Sequence, residues 1–129
     1  MKLLSAALLV FSLLAAAAPQ KGRKLPDVQI VDTKAVRDAG KITVDGKVKV
    51  TAEKALHGLV IVFDFRSPEK EVVTSQKTEI DSDNMEPGKE GSFHAEMVDA
   101  VRAVRYTVRA FDNHEKELRV ANPGPYTVE

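Results

Sequence analysis

Lys41-Ile42-Thr43-Val44-Asp45-Gly46-Lys47-Val48-Lys49-Val50-Thr51 is the stretch that decides the fold. Ile42, Val44, Val48 and Val50 alternate with Thr43, Asp45, Lys47 and Lys49, the period of two that belongs to a half-buried strand. Asp45-Gly46, in its middle, is on its own a strong hairpin signal. A two-residue hairpin there would set Val44 against Lys47, Thr43 against Val48 and Ile42 against Lys49. Directly opposed residues share a face, so every pair would join an apolar group to a polar one. Running straight through keeps residues 42, 44, 46, 48 and 50 on one face. One long strand over 41–51 is therefore expected, with Gly46 as a bulge or a point of close approach.

The same period extends outward. Leu59, Ile61, Phe63 and Phe65 alternate, and Val60 and Val62 make that run apolar on both faces, as in a central strand. Val104, Tyr106, Val108 and Ala110 alternate with Arg105, Thr107 and Arg109. Val28 and Ile30 open the domain, with Val36 as a third candidate. After Ala110, a three-residue loop at 113–115 sets Ala110 opposite Leu118 and Val108 opposite Val120, whereas a two-residue loop would set Val108 against Arg119. An odd loop with Asn113 or a neighbour in the left-handed conformation is expected. No window carries a helical stripe, and the β-branched residues of 99–105 allow one turn at most. Polar turns at 52–58, 67–70, 81–88 and 98–101 divide the chain into seven or eight short strands. The expected fold is an all-β, immunoglobulin-like antiparallel β-sandwich over 27–129.

The whole chain has 129 residues, 19 Lys+Arg against 19 Asp+Glu, three His, no Cys and no Trp. Balanced charge removes the broad attraction that nucleic acid needs, so no nucleic-acid partner is expected. Without Cys there is no disulfide, thiol nucleophile or zinc-thiolate site. The N-terminus reads as a targeting segment. Lys2 is followed by a mostly apolar run to Leu14 and then Ala15-Ala16-Ala17-Ala18, the small residues of a signal-peptidase site. As a helix, the run from Leu3 to Ala18 reaches only ~24 Å at about 1.5 Å per residue, short of a ~30 Å hydrocarbon core. Cleavage after Ala17 is expected, giving a signal peptide over 1–17, a flexible lead-in over 18–26, no membrane span in the mature chain, and a secreted or periplasmic location. The missing Cys suits a bacterial envelope protein better than a small eukaryotic secreted module.

Three segments resemble the FxLYD family of small envelope sandwich domains. Val44-Asp45-Gly46-Lys47-Val48-Lys49-Val50 is similar to that family's glycine-containing strand. Leu59-Val60-Ile61-Val62-Phe63-Asp64-Phe65 stands in place of its aromatic-acid strand, without the Tyr-Asp pair. Met85-Glu86-Pro87-Gly88-Lys89-Glu90-Gly91-Ser92-Phe93 is similar to its Pro-Gly turn and following aromatic strand. The resemblance spans about residues 40–112 and implies a fold, with no catalytic residues attached.

Chemistry-bearing patterns are sparse. His57, His94 and His114 are too far apart for a local metal motif. His94 falls beside Phe93 on the opposite face, which predicts exposure, and His57 and His114 fall in turns. Asp81, Asp83, Asn84 and Glu86 open like a calcium loop, but the pattern fails at Met85 and Glu86; a solvated loop is the simpler reading, and a weak cation or ligand site the alternative. Neither a nucleophile elbow nor a phosphate-cradling glycine loop occurs, so no enzyme activity and no cofactor are expected. Arg105 and Arg109 share the outward face of one strand with Arg102 off phase, a solvated face that could also hold an anion or polysaccharide. The expected role is a non-catalytic module binding an unidentified protein or cell-envelope component. Its candidate surface is Val60, Val62 and the neighbouring Val72 or Val73, together with Arg105 and Arg109.

Overall fold

The period-two runs do become strands in the computed structural model, which describes residues 25–129. The signal peptide expected over 1–17, and most of the lead-in, lie outside the described residues. Six long strands carry the fold: β1 (Val28–Asp38), β2 (Lys41–Val50), β4 (Val60–Arg66), β5 (Val72–Glu79), β7 (Glu90–Val98) and β8 (Arg105–Phe111). Five two-residue strands complete it: β3 (Leu56–His57), β6 (Asn84–Met85), β9 (Glu117–Leu118), β10 (Val120–Ala121) and β11 (Tyr126–Thr127). The described residues contain no helix, and hence none long and apolar enough to cross a membrane.

Two main sheets form, one ordered β10-β1-β2-β7 and the other β11-β8-β4-β5 with β9 beside β8, and β3 and β6 make a separate two-stranded sheet. Among the long strands the first, second and fifth share one sheet and the third, fourth and sixth the other, the immunoglobulin-like distribution. The inward faces supply the core: Ile42, Val44 and Val48 from β2, Ile61, Phe63 and Phe65 from β4, Tyr106, Val108 and Ala110 from β8, all buried. Phe63 sits at the centre of an aromatic cluster, its ring centroid 5.6 Å from Phe93 and 6.1 Å from Tyr106. Tilted and edge-on rings at such distances add to area burial alone.

β2 runs straight through Asp45-Gly46, pairing Gly46 with Thr33 on one side and Phe93 on the other. Of the two roles open to Gly46, close approach is the one found. A Cβ there would lie 2.3 Å from Phe93 Cζ and 2.4 Å from the Asp32 carbonyl oxygen. The bulge is instead on the neighbouring strand, where the β1–β2 register shifts between Ile30 and Asp32. That shift inverts the parity of β1, so Val28 and Ile30 point inward before it and Ala35 after it. Val36 is consequently not a core residue and stands 38% exposed. The inversion also aims Thr33 across the sandwich, where its hydroxyl meets the Tyr106 hydroxyl at 2.8 Å.

The loop at 113–115 takes the odd length expected, with Ala110 opposite Leu118. Glu115, rather than Asn113, adopts the left-handed backbone, at φ 61°. The further pairing of Val108 with Val120 does not form. Val120 leaves to lie parallel to β1 against Val28, and the Val108 N–H donates to the Pro123 carbonyl at 2.9 Å. The C-terminal segment thus closes one side of the sandwich, pairing β11 with β8 while Glu129 bonds the backbone of Ala35 and Arg37. Two segments read as turns also pair. Leu56 opposes Met85 and His57 opposes Asn84, which buries Met85 completely. Residues 99–103 make the single turn allowed, the Ala103 N–H donating to the Ala100 carbonyl at 2.8 Å. Arg37 holds that turn through Asp99 at 2.7 Å and the Ala103 carbonyl at 2.5 Å.

Candidate functional site: the outer face of the second sheet

Alternation along β4 sends Ile61, Phe63 and Phe65 into the core and Val60, Val62, Asp64 and Arg66 outward. Cross-strand register places the partners of that face. Val60 lies between Phe111 and Glu79, Val62 between Arg109 and Lys77, Asp64 between Thr107 and Ser75, and Arg66 between Arg105 and Val72. Val60, Val62, Arg105 and Arg109 therefore fall on one face, with Val62 directly opposite Arg109, and Val72 joins them at the Arg66 end. Val60 and Val62 are half-buried, while Val72 and Val73 are 51% and 38% exposed. The valines are partly sheltered by the stems and rings beside them, as long amphipathic side chains do. Arg109 lies over Phe111, with Cζ 5.5 Å from the ring centroid.

Asp64 organises the middle of this face. Arg109 donates Nε to Oδ2 at 2.6 Å and a terminal nitrogen to Oδ1 at 3.0 Å, and the Ser75 hydroxyl donates to Oδ1 at 2.7 Å. Burial pulls the Asp64 carboxyl upward, but the Arg109 fork, the Ser75 hydroxyl and the nearby Arg66 charge outweigh it and hold the group below the usual carboxylate range. A two-pronged guanidinium–carboxylate contact has a fixed geometry, so the network locks the Arg109 side chain over the sheet. Arg109 thus pairs across the sheet with Asp64. Among the described residues Arg105 makes no ion pair within 4.0 Å, and Arg102 pairs with Glu69 at 3.5 Å at the Arg66 end of the sheet, where the Val104 N–H donates to the Arg66 carbonyl. Asp64 had a visible signal, a single carboxylate inside the apolar run 59–65, whereas Ser75 and Arg66 had none before register was known.

The acidic loop is arranged differently from a cation site. The Asp81 carboxylate accepts the Ser92 N–H at 3.1 Å, and Glu86 accepts the Asn84 side-chain amide at 3.1 Å. The Lys89 ammonium donates to Ser82 Oγ at 3.1 Å and to the Asn84 carbonyl at 3.4 Å, bringing a positive charge onto the loop. Asp83 contributes its carbonyl to the Gly58 N–H. Among the described residues no three His, Cys, Asp or Glu side chains come together as metal ligands. His57 and His114 are exposed, the His57 carbonyl accepting the Asn113 N–H at 3.1 Å, and His94 is exposed on the other sheet, where Nδ1 lies 2.5 Å from Asp45 Oδ1. The hydrogen bond and charge of Asp45, with a smaller contribution from Glu96, raise the His94 imidazole above its ordinary range.

No protein-family model and no curated protein matches the chain. Solved structures do share its fold. A calcium-binding mutant of Bacteroides uniformis beta-glucuronidase 2 superposes with a TM-score of 0.54 at 12% identity, over 73% of this chain and 14% of that one. The chain therefore spans about a seventh of that enzyme's length. The C-terminal domain of Wzt superposes with a TM-score of 0.53 at 8% identity, over 81% of this chain and 79% of that domain. IrmA from Escherichia coli gives 0.50 at 8% identity, over 79% of this chain and 95% of that one. At such identities the likeness is one of fold.

Proposed function

We propose that this protein is a secreted or periplasmic, non-catalytic β-sandwich module that binds a protein segment of its envelope through the outer face of the β11-β8-β4-β5 sheet. The observation that carries the reading is the strip Val60, Val62, Phe111, Val72 and Val73 on that face. These side chains are half-buried or exposed rather than covered by another part of the described chain. The strip ends at β5, which among the described strands pairs with β4 alone; Thr78 near its end already donates to the His94 carbonyl of β7 at 2.9 Å, and the stretch from Val72 to Lys77 leaves an edge for an added strand. An extended partner segment with alternating apolar residues suits both features, adding main-chain bonds at the edge and side-chain contacts to the valines. The location belongs to the same proposal and rests on the N-terminal pattern of Lys2, the apolar run and the alanines. The likeness to FxLYD domains, read from residues 40–112, is compatible with such a role.

The test uses site-specific photocrosslinking in the producing cell. With the photoreactive residue p-benzoylphenylalanine at position 62, one discrete adduct is expected, absent when the residue is at position 47 on the opposite sheet. Val60→Glu should suppress that adduct without unfolding the domain, as judged by circular dichroism. Equal adducts from both positions, or none from position 62, would refute the reading.

A further inference from the structure

At one end of the same sheet, β4 and β8 set Arg66 directly opposite Arg105. Like charges in directly opposed positions destabilise a sheet, so the pair is costly unless an anion comes between them. Among the described residues no carboxylate makes an ion pair within 4.0 Å with either arginine, although Arg66 lies near enough to Asp64 for its charge to be felt there. Asp64 is engaged by Arg109 and Ser75, and Glu69 faces Arg102. The two arginines border a hollow of about 470 Å³ lined by Arg66, Ser67, Lys70, Arg105, Thr107 and Pro125, with no acidic residue among them. By contrast, a second hollow, of about 480 Å³, mixes the two signs, with Asp32, Asp45, Glu79 and Asp81 among Lys34, Lys47 and His94.

Arg66, Ser67 and Thr107 form the sheltered wall of the basic hollow, and Lys70 and Arg105 stand exposed at its rim. The Arg66 guanidinium donates to the Lys70 carbonyl at 3.1 Å and to Thr107 Oγ1 at 3.4 Å, which fixes it against the wall. Lys70 is held in the left-handed conformation at φ 70°, an unfavourable backbone for a lysine, and its N–H donates to the Ser67 carbonyl at 2.9 Å. Residues kept in such conformations cluster at binding sites. Three cations beside the Thr107 hydroxyl match a doubly charged oxyanion, because a single carboxylate would leave most of the positive charge unanswered. The volume, within the usual ~300–1,000 Å³ of small-molecule sites, leaves room for more than the anion itself. We propose that this hollow binds the phosphate group of a small phosphomonoester, with Arg66, Lys70 and Arg105 as its cations and Thr107 as a hydroxyl partner.

The test is a titration of the isotopically labelled protein with inorganic phosphate, followed by amide chemical shifts at constant ionic strength. Acetate is the comparator and Arg105→Gln the variant. Saturable shifts confined to the amides of residues 66–70 and 105–107 are expected, stronger for phosphate than for acetate. Arg105→Gln should weaken phosphate binding about tenfold or more, whereas Arg119→Gln, at an exposed arginine elsewhere, should leave it unchanged. In phosphate-free buffer Arg105→Gln should melt no lower than the parent, since it relieves the like-charge pair. Absence of saturable shifts, shifts spread over both sheets, or equal binding by Arg105→Gln would overturn the proposal.

Discussion

Gly46→Ala tests the packing on which the first sheet depends. The substitution adds one methyl group to β2, where glycine has no left-handed backbone to protect, so an alanine judged by backbone alone would gain about 0.5–1 kcal/mol. Space decides otherwise. The new Cβ would meet Phe93 Cζ at 2.3 Å, Phe93 Cε1 at 2.8 Å and the Asp32 carbonyl oxygen at 2.4 Å. Carbon contacts settle at about 3.5–4.0 Å, so ring and strand would each have to move by more than an ångström. The ring is confined by Phe63, with centroids 5.6 Å apart, and the carbonyl belongs to the β1 backbone at the bulge. Overpacking of this kind costs about 1–3 kcal/mol, and two rigid obstacles place Gly46→Ala near the upper end, at about 2–3 kcal/mol. In a domain of this size 2 kcal/mol lowers Tm by roughly 8–16 °C. Urea unfolding followed by circular dichroism would measure the loss. In a Phe93→Ala background the same substitution should cost about 1 kcal/mol less, because only the carbonyl remains in the way. A Gly46→Ala protein within about 0.5 kcal/mol of the parent, or an equal cost in both backgrounds, would refute the reasoning.

Other consequences follow from the charged groups and the N-terminus. Arg109→Ala strands the Asp64 carboxylate on a largely covered site with Ser75 as its remaining partner; a loss of about 1–2 kcal/mol in urea unfolding is expected, moderated because Arg109 is itself 41% exposed. Because Asp64 is held below the usual carboxylate range in the fold, its contribution is present above the unfolded pKa and disappears as pH falls through the folded one; Asp64→Asn should flatten that acid limb of the stability curve. His94 has the opposite sign. Its raised imidazole favours the fold below the ordinary histidine pKa, and that contribution is lost as pH rises through the folded value, so Asp45→Asn should lower the His94 midpoint in an NMR titration; an unmoved midpoint would contradict the Asp45 contact. Mass spectrometry of the exported protein should find Ala18 as its first residue, and an intact Met1 would rule out the expected cleavage.

Much of the strand content was legible because a sheet with one buried face writes its alternation into the chain. β2, β4 and β8 could be placed from their apolar parity, and parity alone rejected a hairpin at Asp45-Gly46 and chose the odd loop after Asp112. The misjudged positions share a cause. Val36 was misplaced because a bulge near Val31 inverts parity, and nothing in the side chains of 28–36 requires that extra residue. Val120 was placed opposite Val108 because local pairing extends a hairpin by default, whereas a long-range parallel partner, β1, captures it. Met85 looked like a loop residue because its two-residue strand is too short to show any period.

For the candidate surface, the valines and arginines were visible as residues with apolar or charged side chains on an outward phase. Their assembly was not. The sequence by itself determined the phases and the buried halves of β2, β4 and β8, because each depends on neighbours within a few residues, and the want of thiol chemistry, because the chain has no Cys. Only the tertiary structure decided which strands lie side by side. Cross-strand register joins residues dozens of positions apart, and it alone brought Arg109 to Asp64, Lys89 into the acidic loop and Arg105 opposite Arg66.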